Sequence, residues 1–219
     1  PQRSFYRNIG RFALIYWPSG MVIMAMGLVD KMIAAHYINL EASALYGIAA
    51  LFASAFWVVN QSFFLAWTPW LFRKLKERFE SGLRDIVLVS VAYFVTAAVA
   101  AYVIYLFAIL NAPYLLGERF HSAIPFTGYM MLAMLMQGFF FHNMKFLHFE
   151  KSIIIMSLVS LLTVTINIGL SILWVGQSGL AGIMLATIVS FSIAFAITGA
   201  IVLFNLIQAG SNEKAALES

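Results

Sequence analysis

Between Lys151 and Glu213 the chain carries no Asp, Glu, Lys or Arg, and Ile, Leu, Val, Ala and Phe fill most of that gap. No water-soluble domain keeps such a stretch in solution, and it is well over twice the ~20 residues one helix needs to cross a bilayer. A single interruption, Gly176-Gln177-Ser178-Gly179, divides it, so it reads as two crossings joined by a tight turn. The whole chain is 63% apolar and only 10% charged, where soluble domains carry about 25% charge. Its 219 residues are enough for one all-α membrane domain of about six spans. The lack of Cys removes disulfides, zinc–thiolate sites and thiol catalysis from consideration.

The basic residues set the expected topology. The apolar runs lie at about 12–29, 42–72, 86–110, 123–144, 152–175 and 180–208. Six crossings place Arg3, Arg7, Arg11, Arg73, Lys74, Lys76, Arg78, Arg84, Lys145, Lys151 and Lys214 on one face, and only Lys31 and Arg119 on the other. That is 11 against 2 of the 13 basic residues. Short loops rich in Lys and Arg stay in the cytoplasm, so both ends of the segment are expected there. Arg73-Lys74-Leu75-Lys76-Glu77-Arg78 then reads as a topology signal that meets anionic lipid. It has neither the aromatic interleaving nor the soluble fold of a nucleic-acid site. Residues 210–219 form a polar tail expected to be disordered.

Small residues predict where helices meet, because lipid tails are as apolar as Leu and close backbone approach decides association. Gly182, Ala186, Ser190, Ala194 and Thr198 recur every four residues in the sixth span. Ala92, Thr96 and Ala100 are the expected stripe of the third, and Ala50 and Ser54 that of the second. Pro18 and Pro69 each remove a helix hydrogen bond and are expected to bend spans one and two.

Polar side chains inside the spans are the candidates for function. Asp30 and Lys31 close span one, about 100° apart on a helix, so each needs its own partner, whether at a plain helix end or in a cavity. Asn60 and Gln61 lie in span two, Gln137 in span four and Asn167 in span five; each either joins helices or lines a substrate path. Gln137 and Asn167, among wholly apolar neighbours, are the better cavity candidates. His142, Asn143 and His148 cluster toward the end of span four, where a metal site would still lack a third ligand. No hydrolase, zincin or intramembrane carboxylate-pair motif is present, so the chain reads as a transporter part rather than an enzyme, with no metal and no catalytic residue.

The order of these motifs resembles the polysaccharide flippases, which handle O-antigen and teichoic-acid precursors and share a superfamily with multidrug extruders. The likeness lies in Asp30-Lys31, Leu45-Tyr46-Gly47-Ile48-Ala49 and Pro69, then Leu116-Gly117-Glu118-Arg119-Phe120-His121-Ser122-Ala123. It ends in Asn167-Ile168-Gly169-Leu170 and Gly179-Leu180-Ala181-Gly182-Ile183-Met184-Leu185-Ala186-Thr187. It covers about residues 5–207 and implies a six-helix bundle forming the C-terminal lobe of a two-lobe protein, its partner a missing N-terminal lobe. The implied activity is movement of an undecaprenyl-diphosphate-linked oligosaccharide across a bacterial cytoplasmic (inner) membrane by alternating access, for polysaccharide biosynthesis. No cofactor is implied beyond coupling to a proton or sodium gradient. No Arg or Lys lies mid-span, so a cationic clamp for the diphosphate is expected from the other lobe, from Lys31 or from Arg11. A lobe of an ion-coupled multidrug exporter, with Phe139, Phe140 and Phe141 as aromatic lining, and a non-transporting assembly subunit are the alternatives.

Overall fold

The computed structural model describes residues 25–76 and 79–218, and among them every regular element is helical. Helix α1 covers residues 25–37 of the described chain. It is followed by α2 (Leu40–Lys74), α3 (Phe79–Leu115), a 3-10 turn (Glu118–Ala123), α4 (Ile124–Phe149) and α5 (Ile153–Glu218). Among the described residues four helical stretches are long and apolar enough to cross a membrane: Leu40–Lys74, Gly82–Leu115, Phe120–Phe149 and Ile153–Gln208. In an apolar medium a helix is the economical solution, since each backbone N–H and C=O finds its partner within the segment.

The 66-residue α5 would be about 100 Å long if straight. It is instead a hairpin. Gly179 has φ 56° and ψ −135°, a conformation open almost only to glycine. Asn167 on one arm bonds to Thr187 on the other at 3.1 Å, a distance impossible for residues twenty apart in an unbroken helix. The two crossings expected on either side of residues 176–179 are therefore one folded-back pair. Its second arm runs on to Glu218, through the tail whose polarity predicts disorder; Glu213, Lys214, Ala215, Ala216 and Leu217 are all good helix formers.

Side-chain contacts fix the relative directions. Tyr46 and Met130 border one cavity, Trp67 stacks on His142 and Phe72 meets Phe149, so α2 and α4 are parallel. Tyr93 reaches Asn60 and Lys74 pairs with Asp85 at 3.0 Å, so α3 is antiparallel to α2. Asn143 bonds to the Phe195 carbonyl and Thr198, and Asn205 donates to Glu150 Oε2 at 2.6 Å. The second arm of α5 is therefore parallel to α4. Successive segments alternate in direction throughout. Burial lifts the Glu150 carboxyl above its usual range, and the Asn205 amide opposes that rise.

The small-residue stripe of the second α5 arm is where the sequence puts it: Ala186, Ser190, Ala194 and Thr198 are all buried. The other two stripes lie one residue away from the expected positions. In α3, Ala92 and Thr96 are exposed and Ala100 only half-buried, whereas Tyr93, Ala97 and Ala101 are buried. In α2, Ala49 and Ala53 are buried, with Ala50 and Ser54 beside the interface. These helices are apolar on every side, so their sequence holds no amphipathic signal to fix the facing side. Large partners fixed it instead: Tyr46, Phe56 and Tyr93 point inward from the same rows.

Helix ends are also specific. Asn39, the single residue breaking α1 from α2 after Ile38, caps α2 by accepting from the Ala42 N–H at 2.7 Å. At the end of α4, Ser152 N–H bonds to Leu147 O and Lys151 N–H to His148 O. This is the Schellman pattern, with Lys151 at φ 57° where glycine is usual. Gly179→Ala is expected to destabilise the bundle by about 1–3 kcal/mol. Lys151→Gly is expected to stabilise it by about 1 kcal/mol. Unfolding of the purified variants in detergent measures both, and a Gly179→Ala protein as stable as the parent would refute the strained-turn account.

Candidate functional site

Asp30 lies about 10 Å, seven residues, before the end of α1, so it does not close that helix as the apolar pattern predicts. α1 continues through Tyr37 because Ile33 and Ala34 are still buried against the bundle. The Asp30 side chain is wholly buried. Its Oδ2 accepts from the Tyr46 hydroxyl at 2.8 Å and the Thr187 hydroxyl at 2.9 Å. Thr187 in turn accepts from Asn167 Nδ2. The Thr187 proton has a second acceptor in reach, the Ile183 carbonyl at 3.1 Å, and an ionised carboxylate is the stronger of the two. One carboxylate thus gathers α1, α2 and both arms of α5.

Several oxygens here have no partner among the described residues: Asp30 Oδ1, Asn167 Oδ1 and, one turn along α5, Ser171 Oγ. Beside them is a cavity of about 60 Å³ lined by Asp30, Tyr46, Thr187, Gln137, Met130 and Phe191, among others. That volume holds a few water molecules. No Lys or Arg among the described residues is within ion-pair distance of Asp30. Lys31, half-buried, sends its ammonium toward Gly47 instead. An ionised carboxylate in such a place costs several kcal/mol unless it is neutralised. The set of acceptor oxygens around one negative charge suits a proton or a hard monovalent cation. No group of three His, Asp or Glu gathers among the described residues as a polyvalent metal would require.

A second cluster lies nearer the Lys74 end. Asn60 accepts from the Tyr93 hydroxyl at 2.7 Å. His142 is stacked between Tyr93 (5.0 Å, 10°) and Trp67 (5.2 Å, 23°). It is 2% exposed, so its ring is enclosed by the bundle. Gly138 makes this packing possible: a Cβ there would come within 2.6 Å of Asn60 Nδ2. Asn60 Nδ2, Trp67 Nε1 and both His142 nitrogens lack hydrogen-bond partners among the described residues, each such omission costing about 1–3 kcal/mol.

The sequence-derived candidates therefore separate. Asp30, Gln137 and Asn167 converge on the cavity or its rear wall, Asn60 and His142 on the aromatic stack. Asn143 is a helix clamp and Gln61 is exposed on the outer surface of α2. Pro69 lies inside α2, while Pro18 and Arg11 fall outside the described residues. Tyr46, Tyr93 and Thr187 were not legible as site residues, since isolated hydroxyls in apolar helices are common; only the resemblance touches Tyr46 and Thr187. Thr187→Val is expected to cost about 2–3 kcal/mol, because it leaves a buried carboxylate and the Asn167 amide short of a partner, and Thr187→Ser is expected to restore most of it. Denaturation of the two variants side by side tests this. No protein-family model, curated protein or solved structure matches the chain.

Proposed function

We propose that this chain is a six-crossing membrane lobe of a flippase, with both ends of the segment cytoplasmic in a bacterial inner membrane. Its cargo is an undecaprenyl-diphosphate-linked oligosaccharide bound for surface polysaccharide. The four long apolar helical stretches, the hairpin at Gly179 and the asymmetric basic loops support the crossing count and orientation. A second, N-terminal lobe completes the substrate path.

The observation that carries the reading is the buried Asp30 carboxylate, whose Oδ1 has no partner among the described residues, beside the cavity. A charge held between helices from distant parts of the chain gives a cation or proton a differential grip on two arrangements of those helices. Such a difference in affinity is what a gradient needs to drive alternating access. Binding the ion supports the packed arrangement; losing it leaves an uncompensated charge that favours separation.

The exporter alternative expects Phe139, Phe140 and Phe141 to line a drug cavity. Phe140 is buried against Phe191, Phe139 packs on Phe94 and Phe195, and Phe141 meets Trp57. That use of the three rings in helix packing favours the flippase.

Asp30→Asn in the full-length protein is expected to lower ion-driven translocation of the lipid-linked sugar in proteoliposomes by tenfold or more. Folding should persist, since a neutral amide removes the buried charge. In cells the same variant, or Asp30→Ala, should reduce surface polysaccharide at normal expression. Transport that is unchanged and still follows the ion gradient would refute the assignment.

A further inference from the structure

His142 and Asn143 are neighbours in α4 that face different partners. Asn143 donates its amide to the Phe195 carbonyl and to Thr198 Oγ1 on α5. His142 faces the other way, its ring stacked on Tyr93 of α3 and Trp67 of α2. Neither of its nitrogens has a hydrogen-bond partner among the described residues, and neither do Trp67 Nε1 and Asn60 Nδ2 on α2. At these two positions α4 meets α5 through a paired polar group, and α2 and α3 through an unpaired one.

His142, Trp67 and Asn60 are all buried, and α4 is drawn up as close as a glycine allows. A Cβ on Gly138, one turn before His142, would lie 2.6 Å from Asn60 Nδ2 and 3.1 Å from the Tyr93 hydroxyl. Four polar atoms on three residues have thus given up water and gained no partner, which favours any arrangement that readmits it. Burial of the Trp67, Tyr93 and Phe94 rings favours the packed arrangement. Opposed preferences at one joint are what a bistable element is made from.

The element with the weakest ties there is α3. Its Tyr93 ring lies in flat stacks with Phe63 (4.3 Å, 18°) and His142 (5.0 Å, 10°), contacts that slide apart without a bond breaking. Its polar ties to α2 include the Tyr93–Asn60 hydrogen bond and the Lys74–Asp85 pair. Residues 116–123 join α3 to α4, a longer connection than the Ile38-Asn39 link between α1 and α2 or residues 150–152 between α4 and α5.

We propose that the α2–α3–α4 joint at His142 is a conformational switch with two forms: the packed one, and one in which α3 withdraws and water reaches the polar edges of His142, Trp67 and Asn60. One movement serves all three residues, because Tyr93 both covers the His142 ring and occupies the Asn60 carbonyl oxygen. The switch needs no particular cargo, so it is independent of the flippase reading.

Single cysteines in an otherwise cysteine-free full-length protein report the opening. Ala97 is one turn beyond Tyr93 on the same buried row of α3, and Ala194 is buried one turn before Thr198, on the Asn143 side of α4. In proteoliposomes, Ala97→Cys should react with a charged, water-soluble maleimide at least tenfold faster than Ala194→Cys. His142→Phe removes both unpartnered nitrogens and keeps a ring in the stack; added to Ala97→Cys, it should slow the reaction at least tenfold. His142→Leu takes its place if the phenylalanine variant fails to give a monodisperse protein. An Ala97→Cys rate no higher than that of Ala194→Cys overturns the switch, since the joint then stays shut. A rate that the substitution at His142 leaves unchanged overturns it as well, since the unpaired nitrogens then do not drive the opening.

Discussion

Two hydroxyl groups converge on one carboxylate oxygen, and the arrangement of the bundle follows from that meeting. Tyr46 and Thr187 are 141 residues apart in sequence and both donate to Asp30 Oδ2. The α1–α2 pair and the α5 hairpin are thereby tied together through a charge that neither could keep alone. In an apolar medium hydrophobic burial cannot supply this specificity, because such a medium offers exposed Leu and Val the same environment as a helix neighbour. Small residues let the helices come close, and the polar contacts select which faces meet. Asn143 performs the same service between α4 and α5, and Tyr93 with Asn60 between α3 and α2.

The helical class, the boundaries of the long apolar runs and the break near Gly179 were legible because each leaves a compositional mark. A charge-free run, a Gly-Gln-Ser-Gly interruption and a basic cluster can be read without knowing what touches what. The facing side of each helix was not. In α3 the expected row at Ala92 and Thr96 is rotated by one position to Tyr93 and Ala97. Where every side is apolar, only the fit of bulky side chains across an interface distinguishes neighbouring rows. The sixth-span stripe succeeded because five small residues in succession leave no competing row.

The site was legible in part for a related reason. Asp30, Gln137 and Asn167 stand out as polar letters in an apolar text, and they do approach one cavity. Their hydroxyl partners are too ordinary to stand out.

The connections have a mechanical consequence. Between α1 and α2 there are only Ile38 and Asn39, between α4 and α5 only residues 150–152, and the α5 arms are separated by Gly179 alone. Tethers of that length leave no slack for one member of a pair to ratchet a helical turn along the other without unwinding. Any large displacement in this bundle must therefore be a rocking of coupled pairs about their shared hinges, with the stiffest coupling inside the α5 hairpin.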